Sequence, residues 1–203
     1  MSAPPDTVLE VSAEEAAAIR AAVLSADLST LGPGRSLATP TDAADLLAFL
    51  LDPEVSDAIY DLPRPFSLDS VGRWIAESEA LRQEGRRLLI LTRDETGTIV
   101  GYSCVSVWPD RSAAELAGAL ARSRQSGGQG GAGALHSFGW IFETLGVRMM
   151  CLTAALDNVR SAKLIDAAGV VRMGTREAVR PDGTTRTSHY WEVTRDQWKA
   201  RRG

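Results

Sequence analysis

Gly127, Gly128, Gly130, Gly131 and Gly133 fall within seven residues, and a long segment with one apolar face follows directly. Leu135, Phe138, Ile141, Phe142 and Leu145 recur at helical spacing, so the segment to about Leu145 reads as an amphipathic helix. Strand-like runs flank it at Ala113–Ala121 and Val147–Leu156. Strand, glycine-rich turn, helix and strand make a crossover unit, whose two strands run parallel. Glycine within a helix costs roughly 0.5–1 kcal/mol relative to alanine, so several at one helix start need a reason. Anion binding supplies one. Backbone N–H groups at such a turn point outward, the helix N-terminus adds partial positive charge, and glycine lets a phosphate approach without Cβ interference. The plainer alternative is a flexible surface loop, against which stands the apolar helix that begins immediately afterwards.

The rest of the chain supplies the partners of this unit. Residues 1–35 read as an N-terminal extension: Ser12 and Glu15 form a capping box, a helix runs to about Leu28, and Thr30–Gly34 breaks it. A short strand near Leu37 precedes a helix capped at Thr41-Asp42, and a second helix starts at Ser67 with Val71, Trp74, Ile75 and Leu81 on its apolar stripe. The period then changes to two. Arg87–Arg93 and Thr98–Trp108 are strands around an Asp94–Gly97 turn. After the crossover, Asn158–Ala168 is a short helix ended by Gly169. Val170–Val179 and Thr184–Val193 form a hairpin over the Pro-Asp-Gly turn at 180–183. The expected fold is a mixed α/β (α+β) one. A mostly antiparallel sheet contains one parallel crossover and carries helices on both faces.

Composition removes several classes. The 203 residues suit one domain plus an added segment, here 1–35 and 36–203. A net charge of -4 without a basic stripe argues against direct nucleic-acid binding. No apolar run approaches a membrane span, and the first residues lack the basic and apolar regions of a secretory signal, so a cytoplasmic protein is expected. Cys104 and Cys151 lie far apart in apolar runs, which suits buried thiols and neither a disulfide framework nor a metal site.

Gly128-Gln-Gly-Gly-Ala-Gly133 also spells the dinucleotide fingerprint, with Asp157 near the ribose-binding position. In that fold the first glycine closes the turn directly after the strand. Here Arg122–Ser126 intervenes, and only one crossover is visible where a run of parallel strands is needed. The phosphate-binding alternative is Gln125-Ser-Gly-Gly128-Gln-Gly130, a Q/R-x-x-G-x-G/A pattern.

That pattern, with Phe142–Val147, Asn158-Val-Arg-Ser161 and Ala168-Gly169 at their spacings, resembles the GNAT acyltransferase superfamily, in particular its ribosomal-protein N-terminal acetyltransferase-like branch. Asp52–Val55, the Pro63–Phe66 loop, Gly97–Tyr102, Gly174–Ala178 and Trp198 extend the likeness over roughly 36–198. The resemblance implies acetyl-CoA as co-substrate, no metal, and an amine acceptor, either a peptide N-terminus or a small molecule. A homodimer stays open. It also implies that pantetheine lies between strands 113–121 and 147–156, pairing near Leu120 and Arg122. The amides of Gln125, Ser126, Gly127, Gly128, Gly130 and Gly131 would then hold the pyrophosphate. Arg122 and Arg124 reach phosphates or remain solvated. Asn158 contacts the cofactor and Ser161 protonates the departing thiolate, unless Asn158 or Asp157 merely caps the helix.

The acceptor must be neutral to attack a thioester. An α-amine is about one-tenth neutral at pH 7, a lysine under roughly one in a thousand, so a modest base suffices for the former. Glu115 is the candidate, against a surface carboxylate at a strand edge, and His189 is a second candidate, against a structural role. His136 is expected to pack on its helix. Tyr60, Asp61, Pro63 and Phe66 line the acceptor side or plug the gap between two helices. Departures from the family pattern are Val170 in place of Phe, Ala117 and Ala119 for a glycine and an aromatic, and the extra Gly131 and Gly133. The reading is an acetyl-CoA-dependent N-acetyltransferase working by direct transfer in a ternary complex. The alternative is an inactive member of the fold that acts as an acyl-CoA-binding or interaction module.

Overall fold

A computed structural model describes residues 3–57, 59, 62–124, 129–179 and 183–201, apart from the side chains of 129–132, 178 and 179. Among the described residues seven strands, β1 (Arg35–Leu37), β2 (Arg87–Arg93), β3 (Ile99–Trp108), β4 (Ala113–Leu120), β5 (Met149–Ala155), β6 (Val171–Val179) and β7 (Thr185–Thr194), form one sheet. Its order is β1-β2-β3-β4-β5-β7-β6, and only β4 and β5 pair in parallel. The connection between them is helix α5, Gln129–Thr144, as the crossover pattern predicts.

The other helices are α1 (Ala13–Leu24), α2 (Ala43–Leu50), α3 (Pro53–Ser56), α4 (Leu68–Gln83), α6 (Val159–Ala167) and α7 (Arg195–Ala200). Two cores follow from the alternation of the strands. On one face Leu88, Ile90, Val105, Val107, Leu152 and Trp191 meet α1, α5, α6 and α7, with Phe138 edge-on to Trp198. On the other face Leu89, Leu91, Tyr102 and Cys104 meet α2, α3 and α4 through Leu46, Leu50, Val55 and Val71. Tyr102 sits edge-on to Trp74 and Phe49.

Boundaries differ from expectation in instructive places. The first helix stops at Leu24, and a 3-10 turn at Leu28–Leu31 replaces its last stretch. The helix expected from Thr41-Asp42 is preceded by a 3-10 turn, with Thr39 and Asp42 forming the capping box. Helix α3 was not expected, although Asp52 accepts from Glu54 N–H and Pro53 stands at the first helical position, which are its start signals. Likewise α7 starts on a Thr194–Gln197 capping box. Gly169 ends α6 at φ +73°, the expected left-handed cap. Of the expected 180–183 turn, residues 180–182 lie outside the described residues.

The N-terminal residues pack onto the rest of the chain. Ile19 and Val23 of α1 belong to the α5 core. Residues 4–10 cross the opposite side of the sheet. Asp6 N–H donates to Tyr190 Oη at 3.0 Å and Thr7 N–H to Glu192 Oε1 at 3.1 Å. Arg111 donates to the Pro5 carbonyl at 2.8 Å, and Arg176 to the Asp6 carboxylate at 2.7 Å.

Candidate active site

The parallel pairing of β4 and β5 covers only Ala113↔Met149, Ala114↔Met150 and Glu115↔Cys151. Beyond Glu115 the two strands part. A cavity of about 330 Å³ fills the wedge between Leu116–Leu120 and Leu152–Ala155. Residues of both alternation sets line it: Glu115, Ala117 and Thr153 face the α3 side, Leu116, Leu152 and Ala154 the α5 side. The opening therefore passes through the sheet, with one mouth on each face.

The backbone of β4 orients polar groups into this opening. Ala121 N–H donates to Val100 C=O at 2.8 Å, so by the two-residue alternation Ala119 and Ala117 also point at β3. The amides of Leu116, Gly118 and Leu120 point the other way, toward β5. Gly118 has no room for a side chain: an added Cβ would lie 2.4 Å from Tyr102 O. The alanines at 117 and 119 keep the wall low on the opposite face.

Glu115 is the charged side chain at the apex of the wedge. It is 4% exposed, and Thr153 Oγ1 donates to its Oε1 at 2.9 Å. Cys151, beside it on the same face, has its thiol pushed far up by burial and then by the nearby Glu115 carboxylate, so it stays protonated. Glu192, opposite Cys151, is also buried but lies outside the cavity lining. Burial alone would raise its pKa. Hydrogen bonds from Thr7 and Tyr190 outweigh that and hold it below the ordinary carboxylate value. Burial, followed by the bond to Glu192, pushes the Tyr190 phenol up.

On the α5 side, Gly133, Ala134 and Ser137 border the cavity, and an added Cβ at Gly133 would meet nothing within 4 Å. Gly130 and Gly131 lie in the first turn of α5. At the start of α6, Asn158 Oδ1 accepts from Ser161 N–H at 3.1 Å, so Asn158 caps the helix, and both residues line the cavity. Leu120 lines it as well. Arg122 is mostly exposed and pairs with Glu54, a residue of the lining.

Other expected site residues are elsewhere or undescribed. His189 is not in the lining; it sits edge-on to Trp191, ring centres 5.7 Å apart. His136 is an exposed residue of α5, with Nε2 3.2 Å from the Thr30 carbonyl. Phe66 packs at the edge of the α2–α4 core, with the Arg64 guanidinium 4.5 Å over its ring, and does not border the cavity. Tyr60 and Asp61, and Gln125, Ser126, Gly127 and Gly128, lie outside the described residues. Thr153, Arg35, Arg160 and Ser137 border the cavity without having been singled out. For Thr153 the available signal was a hydroxyl in an otherwise apolar strand. Arg35 carries no signal, because its place depends on β1 joining the far edge of the sheet. Among the described residues, no three His, Cys, Asp or Glu side chains cluster as metal ligands. No described helix is long and apolar enough to cross a membrane.

A mixed sheet whose one parallel pair opens into a through-sheet wedge, beside a glycine-rich helix start, defines an acyltransferase type of fold. A profile for the acetyltransferase (GNAT) domain matches residues 35–171, well over half the chain. The chain therefore belongs to the GNAT family and is an N-acetyltransferase. Its fold is similar to ribosomal-protein-S5-alanine acetyltransferase from Vibrio fischeri, at 16% identity and TM-score 0.66, covering 81% of this chain and 93% of that one. RimJ of Mycobacterium smegmatis, solved in complex with CoA-disulfide, aligns at 17% identity and TM-score 0.66 over 80% of this chain and 82% of its own. A GNAT-family acetyltransferase from Streptococcus pneumoniae aligns at 19% identity and TM-score 0.55 over 79% and 98%. At these identities the likeness speaks for the fold. Among curated proteins, none matches the sequence.

Proposed function

We propose that the chain transfers an acetyl group from acetyl-CoA directly to an amine bound on the α3 side of the wedge. The observation that carries this reading is a buried carboxylate, Glu115, at the apex of a cleft that opens on both faces of the sheet. A co-substrate entering from the α5 side and an acceptor entering from the α3 side meet there without sharing a mouth. The cleft suits a pantetheine arm: its walls at Gly118 and Gly133 carry no side chain, and β4 turns amide edges toward it. The start of α5, with the amides of 125–131, is the proposed pyrophosphate seat.

Acetyl-CoA supplies the activated acetyl group as a thioester. The chain's own residues do the rest. Glu115 takes the proton from the acceptor ammonium, directly or through one water, so that the amine lone pair is available. The amides of β4 that face the cleft hold the carbonyl oxygen as charge develops on it. Ser161, one turn into α6 and on the cleft lining, passes its hydroxyl proton to the leaving sulfur and regains one, through water, from the attacking nitrogen as the amide forms. The Asn158 cap fixes the helix start from which Ser161 projects. An α-amine acceptor matches a single carboxylate base better than a lysine does, because far less of its neutral form is lost at pH 7. Glu192 is not assigned a proton-transfer role: its oxygens already receive Thr7 and Tyr190 donors. His189 is likewise left out, since it does not border the cleft. We assign residues 36–203 to the catalytic domain and 1–35 to an extension whose Ile19 and Val23 complete its core.

The test is calorimetric titration with acetyl-CoA followed by a thiol-release assay over N-terminal peptides and small amines. Saturable acetyl-CoA binding with amine-dependent thiol release is expected. Binding without release from any amine would leave a binding module, and absence of binding would overturn the reading altogether.

A further inference from the structure

The Glu115–Thr153 hydrogen bond stands at a particular place in the sheet. Glu115↔Cys151 is the last paired position of β4 and β5. Thr153 lies two residues further along β5, on the same face as Cys151, where the strands have already begun to separate. Its Oγ1 reaches back to Glu115 Oε1 at 2.9 Å, so the side chains bridge the strands where the backbone pairing has stopped. An ionised carboxylate can only accept, which makes the threonine the donor. With its proton committed to Glu115, the hydroxyl has only lone pairs left to offer, and Thr153 borders the cavity. Threonine is also branched at Cβ and stiff at χ1, so the direction of its O–H is set by the strand.

We propose that Thr153 is a positioning residue: its hydroxyl holds the Glu115 carboxylate ionised and aimed across the wedge toward the bound amine. The proposal rests on the reading of Glu115 as the base. The hydroxyl fixes the direction of Oε1 and, by donating to the charged form, favours ionisation. Cys151 on β5 lies beside Glu115, Glu192 on β7 and Arg176 on β6 act in turn on Cys151, and Arg35, Glu54 and Arg160 border the cavity. Cys151 and Glu192 are shifted in opposite directions, both away from neutral pH, so the two add no titration of their own there.

The experiment compares wild type with Thr153→Val, Thr153→Ser and Glu115→Gln, reading kcat, KM and the pH profile of kcat/KM on the best amine from the panel. Thr153→Val, which keeps shape and removes the donor, is expected to lower kcat roughly tenfold. It should move the acid limb up by roughly half to one pH unit, with KM for acetyl-CoA unchanged. Thr153→Ser is expected to restore both. A Thr153→Val profile that overlays wild type, while Glu115→Gln is inactive, would overturn the positioning role and leave the base standing. A fully active Glu115→Gln would remove the base and this inference together. If Thr153→Val fails to fold, Thr153→Ala against Thr153→Ser decides: a shifted acid limb in the first alone is required.

Discussion

Arg148 and Glu15, 133 positions apart, are joined by two parallel hydrogen bonds, Nε to Oε1 at 2.7 Å and Nη2 to Oε2 at 3.1 Å. Both side chains are about two-thirds buried, and Arg148 also donates to the Glu10 carbonyl. This pair ties the start of α1 to the residue before β5. A paired-fork geometry at a half-buried site is the favourable end of the surface ion-pair range. Arg148→Ala and Glu15→Ala are each expected to destabilise by about 1 kcal/mol, lowering the melting temperature by roughly 2–4 °C. In a double-mutant cycle the two should couple by about 0.5–1 kcal/mol. Strict additivity would mean that the pair adds no coupling, leaving α1 to its buried Ile19 and Val23 and to the Arg20–Asp110 ion pair.

The strap at residues 4–10 gives stability a pH dependence. The native pKa of Glu192 is depressed because donors from Thr7 and Tyr190 outweigh the burial that opposes ionisation. A depressed native value means that the unfolded chain binds the proton more tightly. The contribution is therefore complete above the ordinary value of 4.5 and is lost as pH falls through the lower native one. Urea midpoints measured from pH 7 down to pH 3 should fall below about pH 4.5. In Thr7→Val, which lacks the Oγ1 donor, that fall should be shallower. An identical slope in the variant would show that other carboxylates set the acid limit.

The order of elements was legible because period and punctuation speak locally. The Asp94–Gly97 turn separates two alternating strands, and Gly169 stops a helix that Asn158 begins. What could not be read was distance across the sheet. Glu115 is an unremarkable glutamate in a strand until the register sets it beside Cys151 and within reach of Thr153. His189 was a candidate because it lies in the final strand, near the expected site. Its place was fixed instead by β7 lying beside β5 with Trp191 two residues on, which turns the ring toward α6. Phe66 had two expected places, the acceptor side and a plug between two helices, and it packs against the α2–α4 core.

Gly133 tests the proposed use of the glycine cluster. It sits inside α5, where alanine is the better helix former by about 0.8–1 kcal/mol, and an added Cβ would meet no atom within 4 Å. Gly133→Ala should therefore raise the melting temperature of the free protein by roughly 2–4 °C. Because Gly133 borders the cleft, the same methyl should weaken acetyl-CoA binding in calorimetry. Stability and affinity moving in opposite directions is the expected signature. A stabilised variant with unchanged affinity would move the co-substrate away from this wall.

Ser161 and Asn158 separate capping from proton delivery. The cap uses the Ser161 backbone N–H, which alanine retains, so Ser161→Ala leaves the Asn158 contact in place. It removes only the hydroxyl at the cleft wall. General acid catalysis is worth about 10²–10⁴-fold, so kcat should fall by at least roughly tenfold even with water as substitute, while acetyl-CoA affinity and melting temperature hold. Asn158→Ala should do the reverse in part: about 1 kcal/mol less stable through the lost cap, with kcat falling less than in Ser161→Ala. Steady-state kinetics and thermal melts on the two variants check both halves. If Ser161→Ala keeps full kcat, the proton reaches the departing sulfur from solvent, and Ser161 matters to α6 only through its amide.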